Sequence, residues 1–240
     1  MIRSCVFAAA TLLLLCPHVR GDLYTGNGNS GFGGAVGGGS LEITNDLTNL
    51  YFSFSRGGGN LNDALVLYID AASGGFADTS SFTDTADALR TAITGGGSGG
   101  SVVTFAGGMQ ADYAIALDAG FAGLWSLSTG SHGFQNSAGL SPTGDPSAPT
   151  HTFSTSLASL GLSPGSTISF VGTYISGSAF RSDEAFGDGI SSGNPGFTGD
   201  VTFTSFNRYT VAVPEASSFL FGGLVAGAVV LSRRRRLGRG

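Results

Sequence analysis

Three carboxylates lie close together in the stretch FRSDEAFGDG, and their side chains could coordinate a cation. Asp183, Glu184 and Asp188 fall within six residues, beside glycines that leave the backbone free to fold around an ion. Calcium takes several oxygen ligands from carboxylates and carbonyls, so this stretch is a candidate calcium site. The spacing does not follow the EF-hand loop, and a solvated acidic loop explains the same residues. The sequence leaves both interpretations open.

The sequence contains serines, histidines and carboxylates of the kinds that hydrolases use, but they do not occur in the sequence context of an active site. Residues 96–100 and 189–193 match G-x-S-x-G, yet neither follows a strand and opens a helix, as a nucleophile elbow requires. His132 and His151 occupy Gly-, Ser- and Pro-rich segments without metal-ligand spacing. A glycosidase needs two carboxyls across a cleft, and the sequence singles out no pair. We therefore expect a non-catalytic protein, with a glycan-processing hydrolase as an alternative.

The charge distribution disfavours polyanionic partners. Residues 22–212 contain fifteen acidic residues and four arginines, a net charge of −11, while the other seven arginines lie in the two ends of the chain and lysine is absent. Nucleic-acid binding requires a basic surface that displaces counterions. We therefore expect no nucleic-acid partner and no adhesion of this region to an anionic membrane surface.

Hydrophobic alternation predicts an all-β domain over residues 41–212, a β-sandwich or jelly roll. In TNLYFSFS, Leu50, Phe52 and Phe54 alternate with polar residues, which is typical of a half-buried strand. ALVLYID is apolar on both faces and predicts a central strand. Five further segments carry the strand pattern between Gly-, Asn- and Ser-rich turns, and they are SVVTFA, DYAIAL, AGLWSLS, STISFVGTYI and DVTFTSF. Many short strands in one domain favour a sandwich.

One short helix and one glycine-rich leader complete the predicted domain. Residues 84–94 read as a helix with Thr83 or Asp84 as N-cap, and Gly95 ends it. Residues 22–40 are rich in Gly and Asn, and we expect this leader to be poorly ordered. Alternation places Trp125 opposite Leu124, so core packing is the expected environment of this single tryptophan rather than a sugar-binding face.

The first 21 residues have the pattern of a secretory signal peptide. Arg3 precedes the apolar residues 6–15, Pro17 ends that run, and cleavage is expected after Gly21. The apolar run is too short for a membrane span. Both cysteines of the chain lie within this segment, so the exported domain has no disulfide and no thiolate site.

The C-terminal residues combine a short motif, an apolar segment and a basic cluster. Val213, Pro214 and Glu215 precede residues 217–232, which contain no charged residue and predict a short transmembrane helix. A basic cluster follows, and it consists of Arg233, Arg234, Arg235 and Arg236. By the positive-inside rule this cluster stays cytoplasmic while the domain is exported.

The order Pro-Glu, apolar helix and arginine cluster resembles the PEP-CTERM sorting signal of bacterial exosortase substrates. The resemblance covers residues 213–239, and Ala216 stands where the usual motif Val-Pro-Glu-Pro has its second proline. It implies an exosortase-like membrane enzyme as partner, with Pro214 and Glu215 as recognition residues. It also implies a host that makes exopolysaccharide and a destination at the cell surface or in the extracellular matrix.

A second resemblance concerns residues 41–127, with LYID within them. This region is similar to bacterial extracellular β-sandwiches of the carbohydrate-binding family 9 and DOMON-like group, whose members bind sugars or haem or serve as structure. No ligand residue carries over, because Met109 and His132 do not fall in the pattern of the haem-binding members. The expected function is therefore that of a structural or glycan-interacting surface protein without a cofactor. A calcium- or carbohydrate-binding module is the alternative.

Overall fold

The computed structural model describes residues 21–136 and 144–213. The predicted signal peptide up to Arg20 lies outside the described residues. So do Pro214, Glu215, the apolar segment 217–232 and the arginine cluster. Val213 is described and is exposed. The described residues up to Ala212 belong to one compact unit.

The described residues of this unit form thirteen strands and one α-helix. The strands, numbered along the chain, are β1 (Asp22–Thr25), β2 (Ser40–Asn45), β3 (Asn49–Ser55), β4 (Ala64–Asp70), β5 (Val103–Thr104), β6 (Tyr113–Leu117), β7 (Ala122–Ser126), β8 (Gly133–Asn136), β9 (Thr150–Ser156), β10 (Thr167–Ile175), β11 (Arg181–Phe186), β12 (Val201–Thr202) and β13 (Asn207–Thr210). The helix α1 is Ala88–Thr94, and a 3₁₀ turn spans Ala158–Leu160. The predicted all-β class with one short helix is confirmed.

The strands form two larger antiparallel sheets and one small parallel pair. The four-stranded sheet has the order β1-β2-β3-β9. The seven-stranded sheet has the order β11-β10-β4-β6-β7-β8, and β13 pairs with β10 beyond the end of β11. The parallel pair joins β5 and β12.

One apolar core is shared by the two larger sheets. Leu50, Phe52 and Phe54 of β3 point into it, as their alternation predicts, together with Leu65 and Leu67 of β4. Phe52 lies directly opposite Phe153 of β9, and the two rings stack with centroids 4.9 Å apart. Each large apolar side chain that is removed from water here stabilises the fold by roughly 1.5–3 kcal/mol.

A second core covers the other face of the seven-stranded sheet. Val66 and Tyr68 of β4 meet Leu89 and Ile93 of α1 in this core, and Val201 of the β5–β12 pair joins them. The strand β4 is therefore buried on both faces, which confirms its prediction as a central strand. Trp125 belongs to the second core while Leu124 belongs to the first, so the predicted core position of Trp125 is confirmed.

The helix begins later than the sequence predicts. Asp87, and not Thr83 or Asp84, is the N-cap, and its Oδ1 accepts the backbone N–H of Arg90 at 2.9 Å. Asp84 instead accepts the N–H groups of Ala86 and His132, so its carboxylate closes a turn ahead of the helix. The predicted end is confirmed, since Gly95 adopts the left-handed conformation with φ of 70°.

The expectation of a poorly ordered leader is wrong. Residues 22–25 form β1, and Ala35 and Val36 are completely buried in the first core. Gly26 and Gly28 donate hydrogen bonds to the carbonyls of Gly39 and Gly37, which folds the segment back on itself. A Cβ at Gly26 would lie 2.1 Å from the carbonyl oxygen of Val36, so the glycine content permits close packing here.

Candidate functional site

The acidic stretch that predicted a calcium loop is instead the buried strand β11. Glu184 is completely buried, and its carboxylate accepts four backbone N–H groups from the glycine-rich segment. Oε1 receives Phe32 at 2.7 Å and Gly34 at 3.0 Å, while Oε2 receives Val36 at 2.8 Å and Gly37 at 3.0 Å. A carboxylate can be buried when charge-assisted bonds of this kind replace its water.

The two neighbouring carboxylates are also directed at backbone amides. Asp183 accepts the N–H of Gly31 at 2.8 Å and that of Gly193 at 2.7 Å. Asp188 lies beyond the strand, where Thr204 and Ser205 donate to it. Burial alone would raise the pKa of Asp188, but these hydrogen bonds outweigh burial and lower its pKa to about 2.

Asp183 and Glu184 are strand residues with little or no exposure, so the loop prediction is wrong for these two residues, whereas Asp188 lies in the bend beyond β11. The structure does not bring the three carboxylates together as ligands. Across residues 21–136 and 144–213, no group of three or more His, Cys, Asp or Glu side chains could hold a metal ion. The geometry therefore gives the calcium hypothesis no support from these residues.

Backbone capping is the general role of the acidic residues in this domain. Carboxylates that accept at least one backbone N–H are found on Asp46, Asp70, Asp78, Asp84, Asp87, Asp112, Asp118, Asp145, Asp183, Glu184, Asp188 and Asp200. Many are Asx turns, in which the carboxylate meets an N–H two residues later. An aspartate followed two residues later by Gly, Ser or Thr is the sequence signal for the caps at Asp46, Asp78, Asp118 and Asp145, but Asp183, Glu184 and Asp188 do not carry it.

The four arginines of the domain are all engaged within it. Arg181 is completely buried and donates to Ser101 Oγ, Ser101 O and Thr173 Oγ1. Burial lowers the pKa of its guanidinium. Arg56 donates to the carbonyls of two facing loops, Arg90 lies against Asp84 and Asp87, and Arg208 stacks on Phe206. Within the described residues, Arg181, Arg56 and Arg90 are therefore held by oxygens of the domain, while Arg208 is exposed and contacts the ring of Phe206.

The histidines do not belong to a Ser–His–acid arrangement. His132 is buried, and its Nδ1 accepts the backbone N–H of Ser128, while its Nε2 has no partner. His151 lies on β9 with its ring over Phe54, and neither ring nitrogen has a partner in the described part of the chain. Burial lowers the pKa of both imidazoles. In neither case does a hydroxyl or a carboxylate contact the ring nitrogens.

The two G-x-S-x-G segments lack the strand–turn–helix context. Residues 96–100 follow α1, and residues 189–193 follow β11 but lead into turns. Among the carboxyls of the domain, Asp70 and Asp112 interact electrostatically, and burial together with repulsion from Asp112 raises the pKa of Asp70. Both carboxylates accept backbone N–H groups of the adjoining loops.

A shallow groove lies on the outer face of the four-stranded sheet, with a volume of about 260 Å³. Its lining comes from three neighbouring strands and consists of Glu42, Thr44, Tyr51, Phe52, Ser53, Thr152, Phe153 and Ser154. The strand register places Glu42, Ser53 and Thr152 in one row across the sheet, and Thr44, Tyr51 and Ser154 in the next. The groove therefore presents hydroxyl groups, one aromatic ring and one carboxylate.

Tyr51 is held in place at this groove. Its hydroxyl donates to Asp46 Oδ2 at 2.6 Å and lies 3.4 Å from the side-chain amide of Asn49. The bond with Asp46 raises the pKa of Tyr51 and lowers the pKa of Asp46. The ring is 40% exposed, whereas Tyr68 of β4 is buried and donates to the carbonyl of Ile93.

Comparison with known proteins identifies no relative: no family model, curated protein or solved structure matches the chain. Within residues 21–136 and 144–213, no helix is long and apolar enough to cross a membrane.

Proposed function

We propose that this chain is an exported, non-catalytic bacterial surface protein whose β-sandwich domain contacts extracellular polysaccharide. The two larger sheets with their shared core support the sandwich assignment. The acidic, cysteine-free composition of residues 22–212 suits an extracellular domain that is stabilised by core packing rather than by disulfides.

The observation that carries this proposal is the groove on the four-stranded sheet. Sugar rings offer many hydroxyls and an apolar face, so they are bound by side-chain hydroxyls beside an exposed aromatic ring. Tyr51 supplies the ring, and its bond to Asp46 fixes the ring orientation before a ligand arrives. Such preorganisation reduces the entropy that binding would otherwise cost.

The C-terminal residues 213–239 provide the sorting part of the proposed function. An exosortase-like enzyme recognises Pro214 and Glu215, residues 217–232 hold the chain in the membrane until processing, and the arginine cluster remains cytoplasmic. In a host with an exosortase, we expect the wild-type chain to lose a C-terminal epitope tag. The double variant Pro214→Ala, Glu215→Ala should retain the tag, while Ala216→Pro should be processed normally. Equal processing of all three chains would argue against this signal.

The glycan part is tested with residues 22–212, because both apolar cores lie within this range. We expect retention of this domain on exopolysaccharide from an exosortase-carrying host. Retention should be unchanged by a calcium chelator, since Asp183, Glu184 and Asp188 are bonded to the backbone. Loss of retention on chelation would favour the calcium-dependent module instead. Absence of retention with and without chelator would exclude the glycan-contacting function.

A further inference from the structure

We infer that the groove on the four-stranded sheet accepts an uncharged, hydroxyl-rich polysaccharide segment and rejects an anionic one. This inference rests on the proposed function and specifies the ligand class of the same site. It depends on the charges that line and surround the groove, and on the positions of the arginines of the domain.

The groove itself carries negative charge without a compensating cation. Glu42 projects from β2 into it and is exposed, and its carboxylate accepts no hydrogen bond within the described residues. Asp46 adds a second carboxylate at the hydroxyl of Tyr51, and its lowered pKa keeps it ionised. An anionic sugar that lay on Tyr51 would therefore meet two like charges, which disfavours its binding.

Among residues 21–136 and 144–213, no arginine lines the groove, so none offsets this repulsion there. Arg181 is completely buried on β11 of the seven-stranded sheet, and Arg90 of α1 lies against two aspartates. Arg56 is held by loop carbonyls, and Arg208 stacks on Phe206. Tight recognition of carboxylated or sulfated sugars uses charge-assisted bonds from such side chains, and no arginine lines this groove.

The remaining lining matches a neutral chain. Thr44, Ser53, Thr152 and Ser154 contribute hydroxyls that can donate or accept a hydrogen bond, so they pair with sugar hydroxyls in either orientation. Two rows of outward-facing side chains cross the sheet at this shallow groove, Glu42–Ser53–Thr152 and Thr44–Tyr51–Ser154. The site therefore suits a segment of an extended polymer lying along the face, rather than a small molecule enclosed in a pocket.

The experiment compares binding of the domain to neutral and to acidic polysaccharide from the same host. Host exopolysaccharide is fractionated on an anion exchanger into neutral and acidic pools, and each pool is cast into native gels through which residues 22–212 migrate. We expect the neutral pool to retard the domain, with little change between low and high salt. Tyr51→Ala should weaken this retardation about tenfold, the loss expected when one aromatic anchor is removed. The matched control Thr198→Val, at an exposed threonine outside the groove lining, should leave it unchanged.

Glu42→Gln tests the electrostatic step directly. This variant should increase the ratio of retardation by the acidic pool to retardation by the neutral pool, because it removes one of the two like charges at the groove, and an unchanged ratio would overturn the inference. Preferential retardation of the wild-type domain by the acidic pool would overturn the inference while leaving the glycan-contacting function intact. Loss of retention on the unfractionated material, in contrast, would remove the proposed function itself.

Discussion

Arg181 and Glu184 lie three residues apart on β11, both are completely buried, and they form no salt bridge with each other. Each is satisfied by uncharged groups from another part of the chain. Glu184 meets the amides of residues 32–37, and Arg181 meets oxygens of Ser101 and Thr173. The Glu184 carboxylate therefore connects β11 to the N-terminal segment, and the Arg181 guanidinium connects β11 to Ser101, which follows α1.

Glu184→Gln should destabilise the domain by about 3 kcal/mol. Its side-chain NH₂ would face two of the four backbone N–H groups, and a buried donor without an acceptor costs about 1–3 kcal/mol. Urea denaturation of residues 22–212 measures the change. Glu42→Gln, at an exposed carboxylate, is the control and should change the unfolding free energy by less than about 0.5 kcal/mol. Equal stability of the two variants would show that the amide cluster does not stabilise the fold.

Gly95→Ala should be far more damaging than Gly99→Ala. Both glycines have positive φ, 70° and 80°, so both substitutions carry the left-handed strain of roughly 1–2 kcal/mol. A Cβ at Gly95 would also lie 2.2 Å from Ser101 O and 2.8 Å from Arg181 Nη2, whereas Gly99 has nothing within 4 Å. We expect an additional loss of about 2 kcal/mol or more at Gly95, measured as the difference between the two denaturation midpoints. Similar midpoints for the two variants would mean that Ser101 and Arg181 move away from the added Cβ at Gly95 without loss of stability.

The free energy of unfolding of the domain should decrease as the pH falls below about 6.5. Burial lowers the pKa of His132 and His151 below the ordinary value of 6.5, with Asp84 and Arg90 as the charged neighbours of His132, and Arg56 and Asp145 as those of His151. As the pH falls, the unfolded chain binds protons first, so the free energy of unfolding decreases. The slope is at most about 1.4 kcal/mol per pH unit for each histidine that stays neutral. Above pH 7 the histidines contribute no pH dependence.

Replacement of one histidine should reduce the dependence of the unfolding free energy on pH. His151→Leu replaces the ring on Phe54 by an apolar side chain and leaves His132 to titrate, so the decrease between pH 6.5 and 5 should be smaller than in the wild type. Urea denaturation at several pH values gives the comparison. Asp188, whose pKa is lowered to about 2, affects stability only below its ordinary pKa of 3.8, so it does not contribute in this window. An unchanged slope in the variant would exclude His151 as a source.

Arg56→Lys should also destabilise the domain, although charge is retained. The Arg56 guanidinium donates to Ser147 O and Ala148 O on one side and to Gly59 O on the other, and thereby joins two loops. A lysine ammonium cannot reproduce this planar set of donors. We expect a loss of about 1–2 kcal/mol in the unfolding free energy. A loss below about 0.5 kcal/mol would show that solvent replaces these bonds without cost.

Local sequence patterns predicted those elements whose burial depends on their own residues. The alternation of Leu50, Phe52 and Phe54 predicted β3 and its inward face, and the apolar run of β4 predicted a strand covered on both sides. Gly95 predicted the end of the helix, because only glycine adopts the left-handed C-cap without strain. The predicted start of the helix was wrong because Asp84 and Asp87 are both suitable N-caps. In the structure Asp87 caps the helix, and Asp84 accepts the backbone N–H of His132.

The role of β11 and of the glycine-rich segment depends on contacts between residues that are far apart in the sequence. Charged residues are almost never fully buried unless they are paired, so RSDEAF was predicted as a loop. The partners of the Glu184 carboxylate are backbone N–H groups about 150 positions away along the chain. Because every residue except proline has a backbone N–H, residue type does not reveal these partners. The glycines of residues 26–39 likewise gave no sign of the carboxylate around which they fold. The all-β class, the net charge and the local strand pattern follow from residue types and their order along the chain. The contacts of the buried carboxylates with their N–H donors, and the meeting of β2, β3 and β9 at one groove, depend on pairing between distant segments, so they are visible only in the folded structure.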